Sequence, residues 1–514
     1  EAEPLRPEDV ELTSGPPITF KEHLDVFGTP EAALSVMKQR CEAGHDWVCV
    51  VPDTIVYAND LPCEIQEIQE GDKVLTHAGV FRTVTKKFVR EHRGLIKEIT
   101  PYYSNIPIRI SYEHPVLAIK TAKICPTTGN RYICRPNCPK ENNGRCKHYY
   151  RKYKLCWIPA KYIEKGDVVV YPRVKEEREI VLNVKDIVDI DVIETGDFII
   201  PYHPQTSSEK IGRLNPIPRF IRVDEEFSRL AGYYASEGHA EKFKLCFSLN
   251  KEEQDIIEDI KRLMKKIFGI STYTHNIGTS VQLVYNSSIL ASLFRNLFST
   301  GAHRKHLPSW FILLPKRCLE NFIKGYYRGD GKASFHPSER NFRISTTSRI
   351  LAEQVRAILH KLGIITGLMV RKRKGQKHWS EKEKRYIDSK HDLYEIIIPA
   401  HFGKEMERIT SVPCSWDPID RPRGWVDDDY VYVVVKEARD VPYKGKLMNL
   451  EVEGDNTYTV QGIAVHNCAT YIDQIEYYIK EMMLEPDADV RSPVMGMLYE
   501  VEMEVADWIN DAWS

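Results

Sequence analysis

One pattern in the middle of the chain occurs twice, and few folds can accommodate it. DEEFSRLAGYYASEGHA, from Asp224, is followed by the strand-like FKLCFSLN and the helical EEQDIIEDIKRLMKKIFGI. LENFIKGYYRGDGKAS, from Leu319, is followed by NFRISTTSR and ILAEQVRAILHKLGI. In each copy a helix rich in small residues ends in an acidic-Gly pair, a strand follows, and an amphipathic helix closes on Gly-Ile. Gly238 and Gly331 lie 93 residues apart. Order and spacing repeat together, so the segment is a duplicated α/β unit rather than a chance likeness. On either side the pattern changes to short β-branched runs: TIVYA, DKVLTHAGVFRTVTKKFV, IPIRISY and DVVVYP before it, YVYVVV and LMNLEVE after it. The expected fold is multidomain, an all-β domain split by a duplicated α/β domain.

The chain has 514 residues, enough for several cores. Lys plus Arg number 72 against 73 Asp plus Glu, so charge informs only where it is local. No stretch approaches eighteen apolar residues, and no membrane partner is expected. The opening EAEPLRPEDVELTSGPP lacks a starting Met and the features of a signal peptide, which suits a piece of a longer host. Cytoplasm is the expected compartment.

The ends of the β pattern carry chemistry. An Asn can attack its own backbone carbonyl through its side-chain nitrogen, and a Cys can hold an acyl group as a thioester. His466-Asn467-Cys468 follows the last β run, and Cys49 opens the first, CVVPDTIVYA. Ser111 and His114 lie on RISYEHPVLAI. Taken with WIPAKYIEKGDVVVYPR (Trp157–Arg173), these stretches resemble the splicing blocks of the intein family, whose core is the Hint fold. The resemblance implies an N-extein at 1–48, a Hint domain at 49–195 and 426–467, and a C-extein at 468–514. It also implies roles. Cys49 is the first nucleophile, Ser111 and His114 orient and protonate the first scissile amide, Cys468 is the acceptor, and Asn467 cyclises beside His466. Splicing needs no cofactor, and its partners are the extein segments in cis. Two positions depart from the family's pattern: Asn449 in Met448-Asn449-Leu450, and Asn456 before Thr457-Tyr458. Neutral Asn holds hydrogen bonds but is no general base, which weakens the expected coordination of the last steps.

The flanks pattern as helices at Glu31–Arg40 and around Ile472, Ile475, Ile479 and Met482. Residues 468–514 hold 11 acidic residues against Lys480 and Arg491, a poor nucleic-acid surface. Within 121–156 five cysteines cluster. Thiolates from Cys125, Cys134, Cys138 and Cys146 would close a structural Zn²⁺ site, with His148 a competing ligand. Unliganded reduced cysteines or disulfides are the alternatives.

LAGYYASEG (Leu230–Gly238) and IKGYYRGDG (Ile323–Gly331) resemble the LAGLIDADG homing-endonuclease signature over residues 222–400. The resemblance implies a monomeric nuclease with a pseudo-twofold axis. Its two signature helices meet at Gly232 and Gly325, and Glu237 and Asp330 hold Mg²⁺ over the two scissile phosphates. The expected partner is double-stranded DNA at the intein-less host allele. Glu237 stands where Asp is usual, and Arg328 adds positive charge. Lys305, before Leu307-Pro308, matches the family's Lys-x-hydrophobic-Pro block, and Lys372 or Lys374 stands in for it in the second copy. Between Arg371 and Lys390 nine Lys/Arg outnumber three Asp/Glu, interleaved with Trp379 and Tyr386, as phosphate contacts require. Residues 196–221 are expected to be a linker or DNA-contacting strap, and 401–425 a linker. The competing readings are a splicing element with an inactive nuclease and a Hedgehog-like autoprocessing domain. The second of these needs neither Asn467 nor Cys468.

Overall fold

The computed structural model describes residues 49–58, 61–112, 114–119, 155–202, 215–334, 341–380, 385–413 and 422–467. Both flanks, Cys468, Glu113 and the expected Zn²⁺ ligands Cys125, Cys134, Cys138 and Cys146 lie outside the described residues. The chain divides into two compact units, one running to Arg173 and resuming at Arg423, the other comprising Val174–Pro422. Among the described residues no helix is long and apolar enough to cross a membrane.

The first unit is a twelve-stranded antiparallel sheet assembled from both ends of the chain. Phe81–Pro101 and Tyr430–Val452 pair over nearly their full length, with register shifts at Val435/Glu437 and Glu451/Val452 that bend the ribbon. The hairpin Thr457–Val460/Ile463–His466 lies between Ile55–Tyr57 and Pro115–Ile119. The sheet therefore needs its last strands to complete the arrangement of its first. Pro115–Ile119 and Val168–Pro172 are buried throughout, the mark of strands covered on both faces.

The second unit repeats one plan twice, a helix, two strands, a helix and two more strands. In the first copy α1 (Glu225–Glu237) leads to the sheet of Gly238–Ala240, Lys244–Asn250, Ser280–Asn286 and Tyr273–Ile277, with α2 (Gln254–Phe268) and α3 (Ser288–Phe298). In the second, α4 (Lys316–Asp330) leads to Gly331–Ser334, Asn341–Thr346, Leu393–Pro399 and Gly367–Arg371, with α5 (Arg349–Lys361). Asp224 caps α1 by accepting from the backbone N–H groups of Glu226 (3.0 Å) and Phe227 (2.9 Å), and Ser287 and Ser348 cap α3 and α5. Leu245, Phe247 and Leu249 alternate inward on their strand, and Tyr234, Phe294, Phe298 and Phe311 fill the space beside α1.

Boundaries differ from those read off the β pattern. The first unit stops at Arg173, not 195, and strands within 181–201 and 217–222 build two small sheets in the second unit. Side chains hold them there. The Asp189 carboxylate accepts from the Ser292 hydroxyl and from Arg295 (2.8 Å) on α3, and Asn296 donates to the Ile187 carbonyl (2.7 Å). A β pattern gives period but not partner, so 181–195 reads as a continuation of the sheet, and the expected linker or strap at 196–221 contains strands of its own. The expected linker at 401–425 contains α6 (Gly403–Thr410), whose Arg408 pairs with Glu320 of α4 at 2.6 Å.

Candidate catalytic sites

The duplicated motif places α1 against α4 at backbone distance. A Cβ on Gly232 would overlap the Phe322 carbonyl oxygen and stand 2.7 Å from the Tyr326 nitrogen. One on Gly325 would overlap the Arg229 carbonyl oxygen. Glycine is required at both because each helix occupies the volume a side chain on the other would need. A Cβ on Gly329 would meet Ser236 and come within 3.3 Å of Glu237 Cγ, so the carboxylate of α1 lies across from the residue preceding Asp330. Both helices thus end together, each on an acid.

Charge around these ends is concentrated by burial. Burial raises the Asp330 carboxyl to about 6, with Lys305 pulling the other way. Lys305 is itself buried, which lowers it to about 8 against the opposing pull of Asp330 and Glu237. Its ammonium donates to three carbonyls at the end of α1, those of Tyr234 (2.8 Å), Ala235 (2.9 Å) and Ser236 (3.3 Å). A cation there satisfies orphan helix carbonyls and suits the helix dipole. With its three N–H groups engaged, Lys305 fixes the end of α1 and sets the field, and so is a positioning residue. The second copy holds it in turn. Ser348 donates to the Lys305 carbonyl (2.6 Å), while Gln354 accepts from Leu307 N–H (2.8 Å) and donates to its carbonyl (2.7 Å). Neither residue carries a sequence signal for this.

Lys372 and Lys374 occupy an exposed loop built around Asp392. Lys372 Nζ pairs with that carboxylate at 3.2 Å, and the backbone N–H groups of Arg373 and Lys374 donate to it. The cation that opposes burial at Asp330 is Lys305. Arg328, noted as a departure, bridges the Asp255 carboxylate and the Tyr233 hydroxyl (2.8 Å). It thereby ties α4 to α2 and α1.

In the first unit the sheet brings the two ends of the split pattern together. The Cys49 N–H donates to Ser111 Oγ (2.9 Å), and the Ser111 N–H returns a bond to the Cys49 carbonyl (2.8 Å). Val50 and Met448 exchange backbone bonds of 2.8 Å, fixing Cys49 on the strand that arrives from the far half of the chain. His114 is fully buried, which lowers it to about 3. The Cys49 backbone lies near enough to pull it back up, without the alignment of a hydrogen bond. His466 is also buried and lowered to about 4, with the Asn467 backbone opposing. Its Nδ1 lies 2.9 Å from the Asn467 carbonyl oxygen. That oxygen can only accept, so the proton is assigned to Nδ1.

Asn467 is gripped by Asn456. Its N–H donates to the Asn456 carbonyl (2.8 Å), and its Nδ2 donates to Asn456 Oδ1 (3.2 Å). Asn456 sits at φ 52°, a left-handed position that Asn tolerates better than most residues. Buried Asn449 accepts from the Tyr458 hydroxyl at 2.8 Å, and the Tyr458 ring stands edge-on to His114. Asn456 and Asn449 are thus members of the network around Asn467 and His114. Trp157 packs edge-on against His466, an aromatic contact that its strand pattern did not reveal.

The LAGLIDADG-like domain family matches residues 224–297 and 318–400, the two copies of the second unit. A LAGLIDADG-like domain lies within all-β flanking sequence. Among curated proteins, the chain is similar to an uncharacterized protein of Methanocaldococcus jannaschii, 33% identical over 429 residues (82% of this chain, 50% of that protein). It is also similar to an iron-sulfur cluster assembly SufBD family protein of Mycobacterium tuberculosis, 24% identical over 83% of this chain and 44% of that one. An ATP-dependent DNA helicase Hel308 of Thermococcus kodakarensis matches at 25% over 82% and 36%. The chain spans half or less of the length of these curated relatives. Similar solved structures include the homing endonuclease I-DmoI (17% identity, 37% of this chain and 98% of that one, TM-score 0.27). Another is the N-terminal LAGLIDADG domain of DUF199/WhiA (13%, 37% and 84%, TM-score 0.25).

Proposed function

We propose that residues 49–467 are a self-excising intein whose Hint domain carries a LAGLIDADG homing endonuclease, and that residues 468–514 and those before Cys49 are ligated extein. The observation that supports splicing most is the seating of Cys49 and Asn467, from opposite ends of the β pattern, in one β unit, with the Cys49 N–H held by Ser111 and Asn467 Nδ2 by Asn456. In the first step the Cys49 sulfur attacks the carbonyl carbon of residue 48, and the Cys49 nitrogen leaves as an amine. The thiol proton passes to that nitrogen as it leaves, with the neutral His114 ring, beside the Cys49 backbone, orienting the transfer. Ser111 holds the same N–H in place. Cys468 then attacks the thioester and Cys49 departs. Asn467 Nδ2 attacks its own carbonyl, forming a succinimide and releasing the Cys468 amine, which takes the acyl group from sulfur to restore a peptide bond. His466 Nδ1–H aims at the carbonyl oxygen on which charge develops in that step, and Asn456 fixes the attacking nitrogen.

The relatives support the same reading. A stretch of similar extent lies in proteins named for iron-sulfur cluster assembly and for DNA unwinding, and fills less than half of each. An insert carried by unrelated hosts explains this more simply than a shared host activity. The direct test is product mass after expression: ligated flanks plus a 419-residue fragment, against one unspliced chain. Cys49→Ala must abolish ligation, and ligated flanks from that variant would refute the assignment.

For the nuclease, Glu237 and Asp330 fit a hard divalent cation: two carboxylates at adjoining helix ends, one of them desolvated. Mg²⁺ bound there would supply Lewis acidity and an activated water for phosphodiester hydrolysis. The chain's own residues set the geometry. Gly232 and Gly325 fix the helix separation, and Lys305 fixes the end of α1. Lys332 and Arg343 on one sheet, with Lys244, His275 and Gln282 on the other, lie on the faces turned away from the cores, suited to phosphates and base edges of duplex DNA. Glu237→Gln or Asp330→Asn should remove cleavage of the intein-less sequence while DNA binding and splicing persist. Full cleavage by the double variant would overturn the assignment.

A further inference from the structure

The first hairpin of the second unit holds three metal-binding side chains that neither proposed activity uses. His239 on Gly238–Ala240 pairs directly with Cys246 on Lys244–Asn250, and Glu241 follows in the turn. One ligand atom from each lies within 4.8 Å of the other two. Strand alternation sends Leu245, Phe247 and Leu249 into the core, which puts Cys246 on the opposite face with His239. A thiol on that face should be open to solvent, yet Cys246 is fully buried beneath its neighbours, while His239 is half-buried and Glu241 exposed.

We infer that His239, Glu241 and Cys246 form a binding site for a thiophilic divalent cation of the Zn²⁺ class, distinct from the Glu237/Asp330 pair. Imidazole, carboxylate and thiolate are the three donor types that zinc takes together, leaving a fourth position for water. The thiol excludes Mg²⁺ as the natural occupant, because a hard cation takes oxygen ligands. Tetrahedral coordination at bond lengths of about 2.0–2.3 Å separates ligand atoms by roughly 3.5 Å. His239 Nε2 and Glu241 Oε1 already stand 3.8 Å apart, and no pair of donors need close by more than about 1.3 Å from the 4.8 Å bound. The competing partner is weak. Glu241 pairs with Lys244 at 3.1 Å, but both side chains are substantially exposed. On binding, Cys246 releases its proton to solvent and its sulfur bonds the metal.

The test is titration of the full chain with Co²⁺, a spectroscopic substitute for Zn²⁺, following the thiolate-to-metal charge-transfer band. The cysteine-rich segment can bind Co²⁺ too, so the comparison is among variants of the whole chain. Cys246→Ser should lose one equivalent of Co²⁺ and its share of the band, whereas Cys318→Ser, which alters an equally buried thiol on α4, should lose neither. Glu241→Gln, at an exposed position without a folding role, should weaken that equivalent at least tenfold. If Cys246→Ser and the parent bind the same number of equivalents with equal affinity, the inference is wrong. If Cys246→Ser does not fold, an unchanged titration for Glu241→Gln decides against it equally.

Discussion

Replacing Gly232 with Ala tests the core of the second unit. Two effects of opposite sign compete. In an isolated helix the change is stabilising by about 1 kcal/mol, since glycine loses more backbone freedom on folding. Here the new methyl would overlap the Phe322 carbonyl oxygen and stand 2.7 Å from the Tyr326 nitrogen, where ordinary contact begins at 3.4 Å. The obstacle is the backbone of α4, so no side chain can rotate away and the helices must part by roughly 1 Å, a gap that forfeits much of the dispersion energy along the seam. Overpacking of this kind costs about 1–3 kcal/mol and more where backbone must move. Taking the upper end and subtracting the propensity gain leaves a net loss of about 2 kcal/mol. For a unit of some 250 residues that lowers Tm by about 4–8 °C. Calorimetry of the full chain should show one transition falling while the other stays fixed. Gly325→Ala should act alike, and the double variant should cost less than the sum, because both report one contact. A Gly232→Ala chain melting at or above the parent temperature would refute the backbone-contact argument.

Acid should weaken the first unit selectively. His114 and His466 lie at about 3 and about 4 in the folded protein against 6.5 in the unfolded chain, so the stability they contribute is complete above 6.5 and is lost as pH falls toward those values. The loss is up to about 1.4 kcal/mol per pH unit for each histidine, and His114→Gln should flatten the pH–Tm curve below 6.5; an unchanged slope would count against burial of a neutral ring. Asn456→Gly keeps the left-handed backbone but removes the acceptor that holds Asn467 Nδ2. At about 1 kcal/mol for one hydrogen bond, cleavage before Cys468 should slow about fivefold while thiol-induced cleavage before Cys49 stays unchanged. Lys305→Met removes the donor shared by the Tyr234, Ala235 and Ser236 carbonyls, of which Tyr234 keeps the Gly238 N–H. It should lower the second unit's transition by an amount corresponding to about 1–3 kcal/mol and leave the first unit's alone, as differential calorimetry can show.

Where a residue's task is set by local pattern, the sequence could be read directly. The Gly-Tyr-Tyr motifs, their acidic ends and their spacing prescribe two close helices, and Cys49 and Asn467 bracket the β pattern. Tasks set by tertiary partners were not legible. Lys305 reads as part of a Lys-x-hydrophobic-Pro block, which carries no mark of the carbonyls it meets. Residues 181–195 read as more of the first sheet, and 196–221 as a linker or strap, because alternation says nothing about which core receives a strand; Asp189 with Ser292 and Arg295, about a hundred residues on, decides that.

The two asparagines that looked like defects argue the same point from chemistry. A histidine at position 456 or an aspartate at 449 would bring a titratable group into a region where burial already drives His114 and His466 to their neutral forms. A charge there would need a partner or an expensive desolvation. Asn456 instead offers two neutral acceptors from one residue, one for the backbone and one for the side chain of Asn467, and Asn449 satisfies the Tyr458 hydroxyl without adding charge. Positioning is what succinimide closure requires, because nucleophile and electrophile belong to the same residue and only their orientation must be chosen. The polar groups identified at the first unit's junction thus work by neutral hydrogen bonds. The second unit's centre combines a desolvated carboxyl with a buried ammonium, an arrangement suited to the proposed reaction, which turns on charge at a phosphate.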